Sequence, residues 1–228
     1  MNPILAGVAL AVVAGAVVVV SMRDARAVVL GTAVVLLLSS ILADPMATPV
    51  ALAARVIGAL LATYLLWIAA RDRLDAGVPP ASTEGSRIGW PAEILLAAAA
   101  AITGFAAHGL GAPAVGPPIA SATGFAVAAL AVTPVLTGRD TFRVGMGLVL
   151  LLDAGLLVRV ALGGTPDPLE QLLTTGLLVS LAGSIAVLSR AARTDGVGGF
   201  SFATGAQAAR RSRSARPATQ ADADTPNS

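Results

Sequence analysis

The stretch from Phe142 to Leu162 reads FRVGMGLVLLLDAGLLVRVAL. It is apolar over about 20 residues, the length a helix needs to cross a hydrocarbon core of about 30 Å. Arg143 and Arg159 stand near its two ends, and Asp153 stands alone between them. A helix apolar on every side has no face to offer water, so its natural solvent is lipid. Six further stretches of the same kind flank it, at about 3–21, 28–43, 50–70, 91–110, 114–137 and 169–189. The second is short and reads as extending into Ala27 and Asp44. Each gap holds a turn or breaker signal. The expected fold is therefore all-α, a polytopic integral membrane bundle of about seven transmembrane helices.

Composition agrees. The chain is 56% hydrophobic and only 12% charged, with mean hydropathy +0.82. A soluble domain carries about 25% charge, so no water-soluble core of any size remains outside the spans. There is no cysteine, which excludes disulfides, iron–sulfur clusters and thiolate metal sites. With one histidine, His108, a haem or zinc site is not expected. The reading calls for no metal and no cofactor.

Loop charges set the orientation. Basic residues gather in cytoplasmic loops. Here Arg23 and Arg26 follow the first span, Arg71, Arg73 and Arg87 the third, Arg139 and Arg143 the fifth, and Arg190 and Arg193 the seventh. The loops after spans two, four and six hold no arginine. This strict alternation predicts seven crossings with the N-terminus outside and the C-terminus inside. Span one lacks a positive leading segment and is too long for the apolar core of a signal peptide. A multi-pass protein of a cell membrane is expected, by preference the bacterial inner membrane. Residues 1–193 form the transmembrane domain, and 194–228 read as a disordered cytoplasmic tail too polar to bury a core.

The two ends of the membrane domain share a plan. Arg23-Asp24 leads into Ala27-Val28-Val29-Leu30-Gly31, and Arg139-Asp140 leads into Arg143-Val144-Gly145-Met146-Gly147. Each is followed by an apolar span, an Asp-Pro pair (Asp44-Pro45, Asp167-Pro168) and another span. Spans 1–3 and 5–7 would be parallel three-helix repeats, with span four returning the chain across the bilayer. Chance likeness between apolar helices is the competing reading.

Charges within spans are costly and mark function by default. Asp153 lies ten residues beyond Arg143, about 15 Å along the helix and close to mid-bilayer. A carboxyl there that can be protonated or paired is what a proton relay requires. Alternatively it is a hydrogen-bonding link between helices. Asp167 and Glu170 read as helix caps around Pro168, placed as a capping box places them. Glu93 also reads as a first-turn residue favoured by the helix dipole. Arg55 and Arg159 are near outer span ends and can snorkel, and Arg55 could instead pair with Asp44. Tyr64, Trp67 and Trp90 suit an inner aromatic belt. Ser39, Ser40, Thr174, Thr175, Ser180 and Ser184 could bond across helices. No nucleophile–base constellation or phosphate loop is present, and the tail arginines lack the interleaved aromatics of a nucleic-acid surface.

The segment Val135-Leu136-Thr137-Gly138-Arg139-Asp140-Thr141-Phe142-Arg143-Val144, with Gly147-Leu148 and Asp153-Ala154, resembles the first loop and second helix of the K-type subunit of respiratory complex I (NADH-quinone oxidoreductase). Asp167-Pro168-Leu169-Glu170-Gln171 resembles the start of the third helix in the C subunit of multisubunit sodium/proton antiporters and in component E of hydrogenase-4-type complexes. The likeness spans residues 123–193, about a third of the chain. It implies a three-helix module in a small non-catalytic subunit, packed beside large antiporter-like subunits and concerned with ion transport or proton translocation, with a proton-relay or a purely scaffolding role. The chain departs from the family pattern: the glutamate of the second helix is replaced by Val149, and span seven has no mid-span acid. The alternative is a self-contained secondary transporter built from the two repeats. Its mark would be a cavity with several polar groups at mid-depth, and the first half offers few such groups. A membrane enzyme is the third class, disfavoured by the absence of any catalytic cluster.

Overall fold

The computed structural model describes residues 3–22, 24–43, 49–75, 90–107, 116–137 and 141–194. Asp44, Pro45, Arg87, His108, Arg139 and the tail from 195 onward lie outside the described residues. Among the described residues there are seven helices and no strand: α1 (Pro3–Ser21), α2 (Ala25–Ala43), α3 (Pro49–Asp75), α4 (Trp90–Ala107), α5 (Pro118–Thr137), α6 (Thr141–Gly163) and α7 (Pro168–Thr194). Six are long and apolar enough to cross a membrane. The exception is α4, whose apolar run Pro91–Ala106 is shorter than the expected 91–110, of which 108–110 lie outside the described residues. Helices suit lipid because every backbone amide and carbonyl finds its partner within the segment. The chain is a polytopic helix bundle.

Contacts fix the direction of each helix. Gly15 meets Val35 while Gly31 meets Val19, Gly116 meets Val160 while Gly147 meets Ala131, and Gly145 meets Ile185 while Arg159 meets Glu170, so α1–α2, α5–α6 and α6–α7 pack antiparallel. The end of α1 meets the starts of α4 and α6: Ser21 donates to the Glu93 carboxylate, and Arg143 Nη2 donates to the Val20 carbonyl at 2.8 Å. At the opposite end, Arg55 Nη1 reaches the Ser40 carbonyl at 3.3 Å and Gln171 Nε2 reaches the Ala51 carbonyl at 2.6 Å. Arg26, Arg71, Arg143 and Arg190 therefore share one end of the bundle, and Arg55 and Arg159 lie toward the other.

The repeat has a structural counterpart. Each helix of the first three packs on its equivalent in the last three: α1 on α5, α2 on α6, α3 on α7. The α3–α7 pair is parallel, with Ala51, Gly58 and Leu65 meeting Gln171, Thr175 and Gly183 in the same order. Both helices have 27 residues and both begin with proline. The tightest agreement is at two glycines. A methyl added to Gly31 would lie 2.9 Å from the Gly15 carbonyl, 3.0 Å from Val19 and 3.2 Å from Val18. A methyl added to Gly147 would lie 3.2 Å from the Ala131 carbonyl, 2.8 Å from Val135 and 3.0 Å from Pro134. These are the same four positions, moved along the chain by a constant 116. Small residues let helix backbones approach closely in lipid, where dispersion replaces the hydrophobic effect as the cohesive force.

The core lies where the halves meet. Val12, Ala16, Val35, Leu66, Val127, Leu130, Met146, Val149 and Leu150 are all within 1% of fully buried. By contrast α7 shows Leu169, Leu172, Leu173, Leu177 and Val187 on an open face. Tyr64 and Trp67 also point outward from α3, as a lipid-facing aromatic belt does.

Candidate functional site: an intramembrane polar cavity

A cavity of about 320 Å³ lies between α2, α3, α6 and α7. Its wall surface is mostly apolar, and its polar groups come from both halves of the chain. The first half gives Ser39, Ser40 and Arg55; the second gives Asp153, Arg159, Glu170, Gln171, Thr174 and Thr175. Few polar groups were expected from the first half, but Arg55 is only 9% exposed and turns into the bundle instead of snorkelling through lipid.

Asp153 sits on the buried stripe of α6 and is 5% exposed. Its neighbours along that stripe, Met146, Val149 and Leu150, follow at helical spacing toward the arginine-rich end. Ser39 of α2 donates to Asp153 Oδ1 at 2.7 Å, and Oδ2 is buried with no partner among the described residues. The Ser39 hydroxyl has a second acceptor, the Leu36 carbonyl of its own helix, at 3.2 Å. One proton thus faces two acceptors. Ser40, Thr174 and Ser184 behave more locally, donating to the Leu36, Gln171 and Ser180 carbonyls within their own helices.

At the rim beside the α6–α7 turn, Arg159 holds both carboxylate oxygens of Glu170 and donates to the Gly164 carbonyl at 3.1 Å. Gly164, at φ 77°, makes the turn that brings the start of α7 back onto the end of α6. Glu170 is therefore aimed at Arg159, not at the amides of its own helix as a capping box would have it. Asp167 accepts the Gln171 amide at 2.9 Å through its backbone carbonyl, as a residue at the N-cap position does. The sequence reading gives Arg159 only a snorkelling role and does not pair it with Glu170. The signal was present: the two residues lie at nearly equal distances from the Gly163–Asp167 turn.

Glu93 is the second surprise. Read as an end-of-helix residue, it is 1% exposed, with one oxygen receiving the Ser21 hydroxyl and Oε1 without a partner among the described residues. Among the described residues no group of three histidine, cysteine or acidic side chains could hold a metal ion.

Fold and site together define a class: a polytopic α-helical bundle, apolar enough for a multi-pass membrane protein, with a cavity carrying polar groups where α2 and α3 meet α6 and α7. No family model, curated protein or solved structure matches the chain.

Proposed function

We propose that the protein is a non-catalytic subunit of the membrane arm of a complex I-like, hydrogenase-4-like or multisubunit cation/proton antiporter-like assembly, and that it moves protons through Asp153. The observation that supports this reading is the buried Ser39–Asp153 pair on the cavity wall. One carboxylate oxygen is held by a hydroxyl while the other is left for a proton. Whether or not Asp153 carries that proton, the Ser39 hydroxyl has an acceptor, in Oδ1 or in the Leu36 carbonyl. A buried polar group without a partner is costly, so this second acceptor lowers the barrier to exchange. The arginine-rich end faces the cytoplasm of a bacterial inner membrane, with the N-terminus outside.

The test is an Asp153→Asn chain expressed in cells lacking the wild-type copy. Assembly of the parent complex, followed on native gels, is expected to be intact, while its proton-linked flux falls. Unchanged flux removes Asp153 from the path. Affinity purification of the tagged chain is expected to bring down large antiporter-like subunits.

One observation favours a second reading, a self-contained transporter. The cavity receives polar groups from both repeats, which is where secondary transporters place their sites. Solute uptake by the purified chain alone in proteoliposomes would select this reading; activity that needs partner subunits would select the first.

A further inference from the structure

The proton-carrying reading uses one buried carboxylate, yet the described residues include two. Glu93 and Asp153 are built alike. Each is at least nine-tenths buried, each has one oxygen held by a serine from another helix, and each has its other oxygen without a partner among the described residues. They lie at different depths. Arg143, whose guanidinium holds the carbonyl next to Ser21, marks the level of Glu93. Asp153 is ten residues beyond Arg143 along α6, a backbone rise of about 15 Å. Met146, Val149 and Leu150 occupy the stripe between the two levels and are at most 1% exposed.

We propose that Glu93 is the inner station of the path that begins at Asp153, with Ser21 as its exit hydroxyl and Met146, Val149 and Leu150 as a dry seal between the stations. This rests on the proton-carrying reading. A proton hop needs donor and acceptor about 2.5–3.0 Å apart, so the gap is closed at rest and conducts only when water enters it. Apolar constrictions gate channels by this dewetting. Ser21 is half-buried at the end of α1, so its hydroxyl links the fully buried Glu93 to the arginine-rich face. A helix-start role alone would place Glu93 at the solvent edge and would not require a serine from another helix.

The experiment uses the full chain in vesicles loaded with a pH-sensitive dye. Met146→Ser, with Met146→Thr as a second way of wetting the seal, is expected to raise passive proton entry by at least about tenfold. Adding either Glu93→Gln or Asp153→Asn is expected to return it to the wild-type rate. Glutamine keeps an oxygen for the Ser21 bond, so a purely structural Glu93 would leave the leak unchanged. A leak stopped by Asp153→Asn but not by Glu93→Gln overturns the inner station and leaves the Asp153 reading standing. A leak that neither stops, or no leak in folded seal variants, overturns both. Should the seal variants fail to fold, wild-type vesicles treated with dicyclohexylcarbodiimide, an apolar reagent for carboxyls buried away from water, give the second measurement. Adducts are expected on both Glu93 and Asp153, and labelling of Asp153 alone overturns the proposal.

Discussion

Ser39 and Ser40 are neighbours with the same hydroxyl and different work. Ser39 spans to Asp153 on another helix, whereas Ser40 closes on the Leu36 carbonyl of its own. Ser39→Ala removes the one donor that Asp153 Oδ1 has among the described residues, leaving both carboxylate oxygens buried and unpartnered. A cost of about 1–3 kcal/mol in unfolding free energy follows, together with slower proton-linked flux. Ser40→Ala is expected to change both much less. Unfolding in detergent and flux in vesicles, measured on both variants, test the contrast; equal effects would mean that the Ser39–Asp153 bond carries no special weight. Asp153 itself was legible as an isolated acid in an apolar run. Its serine partner was not, because 114 residues separate them and only packing brings α2 against α6.

Between elements, closeness is set by glycine. Gly31→Ala drives a methyl to 2.9 Å from a backbone carbonyl, which cannot rotate away. Gly147→Ala meets first the Val135 side chain, which can. Overpacking costs about 1–3 kcal/mol, so the Gly31 variant is expected at the upper end and the Gly147 variant below it. Gly176→Ala, with nothing within 4 Å, is expected to be neutral or mildly stabilising. Melting temperatures of the three variants decide the order. The Arg159–Glu170 pair joins α6 to α7 but is 42% and 31% exposed. Solvent screening leaves such a pair about 0–1 kcal/mol, so Glu170→Gln is expected to shift the melting temperature little. The element boundaries were largely readable from sequence, since apolar runs ended by Pro, Gly or charge need no tertiary help. The α4 helix is the exception, described only to Ala107.

For the molecule as a whole, orientation is the testable property. The chain has no cysteine, so single cysteines report without background. In intact cells a membrane-impermeant thiol reagent is expected to label Thr165→Cys, in the turn between α6 and α7. Met22→Cys, 49% exposed at the arginine-rich end, is expected to label only after the membrane is opened. The reverse pattern would invert the proposed topology and the direction of the proton path.

The sequence by itself determined the solvent, the helical class, the alternation of basic and non-basic ends, and the repeat as a faint echo between two Arg-Asp segments. These are local or summed properties, set by span length and by the cost of moving charge through hydrocarbon. Only the tertiary structure decided that the repeats pack helix on equivalent helix, that Arg55 turns inward, that Glu170 meets Arg159, and that Glu93 is buried. Each of these depends on which face of a nearly uniform apolar helix meets its neighbour. Such helices lack the polar stripe that marks an inner side in water, so their facing is settled by close packing of small residues and by the few hydrogen bonds that lipid cannot replace.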